Sequence, residues 1–155
     1  MFNIKHLVAA VATVAATAAS AVPVYVGSWQ VDQGPYWPSV PAAYTGQEAA
    51  ALLFGGVASD YFISTVDNTV ANINHSAWVS TWGGPVPTAP VAENYKVSSG
   101  GLYANYGDTS AYVLDWAQGS QFTNYAFAVP EPETYALMLA GLAGLGVATR
   151  RRQVH

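Results

Sequence analysis

Between residues 22 and 129, short runs of Val, Tyr, Trp, Phe and Thr alternate with Gly, Pro, Asn and Asp. β-branched and aromatic side chains fit a pleated, half-buried surface, and the intervening residues set turns. The pattern predicts strands at 24–31 (VYVGSWQV), 61–66 (YFISTV), 76–82 (SAWVSTW), 94–98 (NYKVS), 111–117 (AYVLDWA) and 122–129 (FTNYAFAV), with a proline-broken loop at 83–90 (GGPVPTAP). One segment departs from it. In YTGQEAAALLFGG, Thr45 and Glu48 stand at the spacing of a capping box, the strong helix formers 49–53 follow, and Gly55 and Gly56 offer a left-handed stop. The expected architecture is mainly β, a small sandwich or barrel-like domain with one short helix.

Both ends break this rhythm. Lys5 and His6 precede an uncharged apolar stretch at 7–19, and Ala19-Ser20-Ala21 is a small-x-small site. That is the layout of a secretory signal peptide, too short to span a bilayer comfortably. At the other end, Pro130-Glu131-Pro132-Glu133 resists helix, because each proline fixes φ and restricts the residue before it. An uncharged run, YALMLAGLAGLGVA, follows at 135–148. As a helix it would be roughly 21 Å long against a hydrocarbon core of about 30 Å, a short membrane span. Arg150, Arg151 and Arg152 come next, placed to stop translocation and keep the end cytoplasmic. The expected organisation is a signal peptide at 1–21, an exported β-rich domain at 22–129 and a sorting tail at 130–155.

The segment VPEPETYALMLAGLAGLGVATRRRQ resembles the PEP-CTERM sorting domain, with motif, apolar run and arginine cluster in order. The resemblance implies that Pro130, Glu131 and Pro132 are read by exosortase, a membrane protease-transpeptidase, and that processing falls at or near them. It implies transient anchoring in the inner membrane of a Gram-negative bacterium, then delivery to the cell surface or extracellular matrix, with exopolysaccharide or biofilm as the setting. The body also resembles an ectodomain that recurs in PEP-CTERM proteins. That likeness bears on the extent of the domain and assigns no mechanism.

Charge and composition narrow the function classes. The acids of 22–129 are Asp32, Glu48, Asp60, Asp67, Glu93, Asp108 and Asp115, against the single base Lys96. Nucleic acid and anionic lipid both need clustered Lys and Arg, so neither is an expected partner of the body. The chain has no cysteine, which excludes disulfides, thiol chemistry and Cys-based metal sites.

The oxygen-rich group Asp60, Asp67, Asn68, Asn72, Asn74 and His75 could in principle serve calcium, but it lacks the spacing of a calcium-binding loop, and turn formation explains it. No other cofactor is indicated. His75 is the one histidine of the body, and no G-x-S-x-G turn presents a nucleophile to it. The acids are candidates for paired-carboxylate glycoside hydrolysis by residue type alone. Glu48 is explained by its cap. Most of the Trp and Tyr residues are expected in the core, but Pro35 and Pro38 hold Tyr36 and Trp37 in the loop QGPYWPS, where flat aromatic faces can stack on sugar rings. The expected function is an exported, exosortase-sorted, non-enzymatic surface or matrix protein. The alternatives are a carbohydrate-binding module built on loop aromatics, with or without calcium, and a small glycan hydrolase.

Overall fold

The computed structural model describes residues 22–83, 89–116, 122–129 and 141. The expected signal peptide, the Pro130-Glu131-Pro132 motif and Arg150, Arg151 and Arg152 lie outside the described residues. Among those described, no helix is long and apolar enough to cross a membrane.

The described chain is mainly antiparallel strand with one helix. In order it forms β1 (Val24–Gln30), α1 (Gly46–Phe54), β2 (Tyr61–Ser64), β3 (Ser76–Ala77), β4 (Ser80–Thr81), β5 (Val91–Ala92), β6 (Thr109–Ser110) and β7 (Thr123–Ala128), linked by loops and short 3-10 turns. The largest sheet has the order β1-β7-β2, so the last strand is the middle one. Its register runs from Val24 opposite Ala128 to Gln30 opposite Thr123 on one side, and from Tyr61 opposite Ala128 to Ser64 opposite Tyr125 on the other. Immediately after it, the Val129 amide donates to the Asp60 carbonyl at 2.7 Å.

The helix forms as the sequence requires. The Glu48 amide donates to Thr45 Oγ1 at 3.0 Å, and the Thr45 amide donates to Glu48 Oε2 at 2.9 Å. Gly55 ends the helix at φ 89°, a conformation that costs glycine nothing. Ala49 and Ala50 are fully buried in the main core with Trp29, Tyr61, Ile63, Ala77, Val79, Ala111 and Ala126. Full burial of a side chain such as Ile63 contributes about 1.5–3 kcal/mol. Phe54 lies over Gly27 of β1, where a Cβ would fall about 2.5 Å from its ring, so a larger residue there would make the ring shift.

Three expected strands take another form. Residues 76–82 divide into β3, paired with β5, and β4, paired with β6. The break at Trp78 has a long-range cause: its amide donates to Asn124 Oδ1 at 2.7 Å and its carbonyl accepts from Asn124 Nδ2 at 3.0 Å, so both ladder groups are taken by a side chain of β7. The stretch 111–116 has no ladder. It is held by separate bonds to three segments: Ala111 N to the Tyr44 carbonyl, Val113 N to the Val31 carbonyl, and Leu114 N to the Pro35 carbonyl, each at 2.8–2.9 Å. Residues 94–98 likewise form no strand, since the pairing is made earlier, at Val91–Ala92, and the Tyr95 amide turns back to the Ala92 carbonyl.

Candidate functional site: an aromatic cleft beside Asp115

The loop carrying Tyr36 and Trp37 is fixed from both sides. Trp37–Ser39 is a 3-10 turn with proline in its first turn, where the missing amide costs nothing. Ser39 Oγ donates to the Tyr36 carbonyl at 2.7 Å, and Val40 closes the turn at φ 53°. Across from it, Leu114 makes a parallel bridge to Tyr36, and the Trp37 amide donates to the Leu114 carbonyl at 3.1 Å. This junction carries Asp115 and Trp116 to the same place.

The result is a cleft of about 390 Å³ lined by Trp37, Trp82, Gly83, Asp115 and Trp116. Trp37 and Trp82 meet edge to face with centroids 4.1 Å apart, and Tyr36 lies 5.2 Å from Trp116 and 6.2 Å from Trp37. Beneath them is a second core of Ala43, Tyr103 and Val113, against which Trp37 and Trp82 pack. The outer wall is solvated, with Trp116 70% and Tyr36 45% exposed. Trp116 has φ 60°. A left-handed backbone at a bulky residue costs on the order of 1–3 kcal/mol, and here it accompanies an indole turned outward instead of buried.

The charged group of the cleft is held from below. The hydroxyl of Tyr103, a residue with no exposure, donates to Asp115 Oδ2. Burial pushes the Tyr103 hydroxyl far above the usual tyrosine range, and the hydrogen bond to Asp115 and the negative charges of Asp115 and Asp108 raise it further. Tyr103 therefore stays a donor, and it orients the carboxylate.

Five of the other acids have structural partners. Asp60 Oδ2 accepts from the Val57 amide at 2.7 Å, and Asp108, buried, accepts from the amides of Ala104 and Asn105 at 2.8 and 2.6 Å. Glu93 Oε2 accepts from the Ile63 amide at 2.7 Å, and its Oε1 lies 3.2 Å from His75 Nδ1. The His75 ring packs edge-on against Phe62. Asp67 accepts from Asn72 Nδ2 and the Thr69 amide, which together hold its carboxyl below the ordinary range although slight desolvation opposes them. Asn74 pairs with Thr65 through both ends of its amide. Among the described residues no three His, Cys, Asp or Glu side chains are placed to hold a metal ion. Glu48 takes both bonds of the Lys96 ammonium, at 2.7 and 2.9 Å, besides its cap.

Of the aromatic residues singled out in the sequence for sugar stacking, Trp37 lines the cleft and Tyr36 borders it. Sequence reasoning missed Trp82, Asp115 and Trp116 as their neighbours. The Asp-Trp pair at 115–116 was the available signal, but its place depends on a bridge between residues far apart in the chain.

Among known families, the PEP-CTERM protein-sorting motif matches residues 128–152. The motif implies an exported protein targeted to exosortase and transiently anchored in the membrane through its C-terminus. No curated protein and no solved structure matches the chain.

Proposed function

We propose that this is a surface or extracellular-matrix protein of a Gram-negative bacterium that acts by binding instead of catalysis, and that it is retained among exopolysaccharide through the Trp37–Trp82–Trp116 cleft. The sorting tail supports delivery outside the cell. The observation that carries the binding reading is the solvated indole of Trp116 on a left-handed backbone, beside a cleft of aromatic faces. Indole and phenol rings offer flat apolar area with a polar edge, which suits the faces and rims of sugar rings. Binding is favoured over hydrolysis because Asp115 is the one carboxylate among the described residues lining the cleft, whereas glycoside hydrolysis needs two carboxyls about 5–9.5 Å apart. No metal enters this reading, so sugar binding is expected to persist in EDTA.

The test follows the chain in cells making polysaccharide. Wild type should appear outside the inner membrane with its mass shortened at both ends, and should sediment with the polysaccharide fraction. Trp37→Ala with Trp116→Ala should be processed normally and lost to the soluble fraction. Equal retention of the double variant would remove the cleft from the account.

A further inference from the structure

The end of the main sheet from which the chain leaves towards the sorting motif is apolar and exposed. Val24 of β1 stands opposite Ala128 of β7, and so does Tyr61 of β2. The Asp60 carbonyl accepts from the Val129 amide at 2.7 Å, and the Asp60 carboxylate accepts from the Val57 amide at 2.7 Å. The Tyr61 hydroxyl donates to the Gly55 carbonyl at 2.8 Å, which draws the last turn of α1, with Leu53 and Phe54, to the same end. Val24, Leu53, Phe54 and Val57 are all exposed there, Val24 by 55% and Val57 by 60%. Large apolar side chains grouped in this way on a solvated surface mark a contact site.

Two observations point to what covers it. The sorting motif begins at residue 128, and it implies anchoring in the membrane through the C-terminus. Val129 and Tyr135, where the uncharged run begins, are six residues apart in sequence, so they are separated by at most about 20 Å even with the chain drawn straight. While the protein is anchored, this end of the sheet is thus held beside a bilayer at the high effective concentration of a short tether. Lys96, the one Lys or Arg among residues 22–129, is bonded to both oxygens of Glu48, so the contact draws on apolar area and not on anionic headgroups. We infer that the exported domain rests on the bilayer by this end while it is anchored, with Val24, Leu53, Phe54 and Val57 entering the boundary between headgroups and acyl chains. The inference depends on the anchoring that the sorting motif implies and is independent of the sugar-binding cleft.

The chain has no cysteine, so one introduced by substitution is a unique labelling site. The full chain is reconstituted into phosphatidylcholine vesicles carrying a polarity-sensitive fluorophore at Val24→Cys, at Val57→Cys or at Gln30→Cys, the last exposed at the far end of β1. The labels at 24 and 57 should lose most of their quenching by aqueous iodide and gain quenching by nitroxide-bearing lipid, whereas the label at 30 should remain open to iodide. Adding phosphatidylglycerol should change none of this. Each labelled variant is first shown to unfold at the wild-type midpoint, and either of the two sites suffices if the other disturbs the fold. Labels at 24 and 57 as open to iodide as the label at 30 overturn the inference. Protection that disappears when the chain is diluted among vesicles also overturns it, and assigns the surface to a second copy of the chain. Failure of the chain to float with the vesicles overturns the anchoring itself.

Discussion

The side-chain amide of Asn124 pairs with the backbone of Trp78 as a strand would, accepting from its amide at 2.7 Å and donating to its carbonyl at 3.0 Å. Asn124 is completely buried on the middle strand β7, opposite Trp29. Through this contact the main sheet is joined to the two short ladders that β3 and β4 form with β5 and β6. Asn124→Ala leaves the Trp78 amide and carbonyl without these bonds, each worth about 1–3 kcal/mol once buried and unsatisfied. A loss of about 2–5 kcal/mol is expected in urea unfolding, and Asn124→Asp should also destabilise, because it keeps the acceptor and removes the donor.

Ser80 is the opposite case. Its hydroxyl is buried in β4, and among the described residues it has no hydrogen-bond partner. Removing an unsatisfied buried polar atom relieves its desolvation cost. Ser80→Ala should therefore be neutral or raise stability by up to about 1 kcal/mol, measured as a higher unfolding midpoint. A clear loss would mean that the hydroxyl is bonded in solution.

Acid should loosen the helix start. Burial pushes the Glu48 carboxyl up, but the Lys96 hydrogen bond, the Thr45 amide and the Lys96 charge outweigh it, and the net direction is below its ordinary value of 4.5. A depressed folded value gives stability that is present above 4.5 and is lost as pH falls through the lower folded value. Asp67, held below its ordinary 3.8, acts in the same direction. Because the Glu48 side chain is 39% exposed, solvent screening keeps the share of the Glu48–Lys96 pair to about 1 kcal/mol or less. Glu48→Gln should flatten the fall in unfolding midpoint between pH 5 and about pH 3, and Lys96→Met should flatten it in part.

The Tyr103 hydroxyl acts at the other end of the pH scale. With its folded value raised above the ordinary 10.0, its contribution is complete below pH 10 and is lost as the pH rises beyond that. Tyr103→Phe should remove this alkaline loss. It should also reduce sugar binding with little effect on the main core, since it removes a hydrogen bond to Asp115. Binding unchanged in Tyr103→Phe would show that the carboxylate needs no such support.

For the tail, replacing Pro130, Glu131 and Pro132 together by Ala should leave the C-terminal segment attached. Intact mass of the cell-associated protein reads the result directly, and normal shortening would detach the motif from processing.

Local signals in the sequence carried the elements that depend on neighbours in the chain. The Thr45–Glu48 box, the glycine stop, β1 and β7 all form close to where propensity and punctuation put them. The failures arise where distant groups compete for the backbone. Residues 76–82 read as one strand, yet Asn124 takes both polar groups of Trp78 and divides it. Residues 111–116 have strand composition, yet Tyr44, Val31 and Pro35 each take a different amide. The same long-range bonding hid most of the cleft. Tyr36 and Trp37 were visible because prolines flank them, whereas Asp115 and Trp116 reach them only through the Leu114 bridge.

Because β7 is hydrogen-bonded on both flanks, the main sheet closes only when residues 123–128 are in place. Until then β1 and β2 have an empty slot between them. The topology thus makes both edge strands of the main sheet depend on the stretch of chain that runs into the sorting motif. Removing residues 123–128 would undo both seams at once.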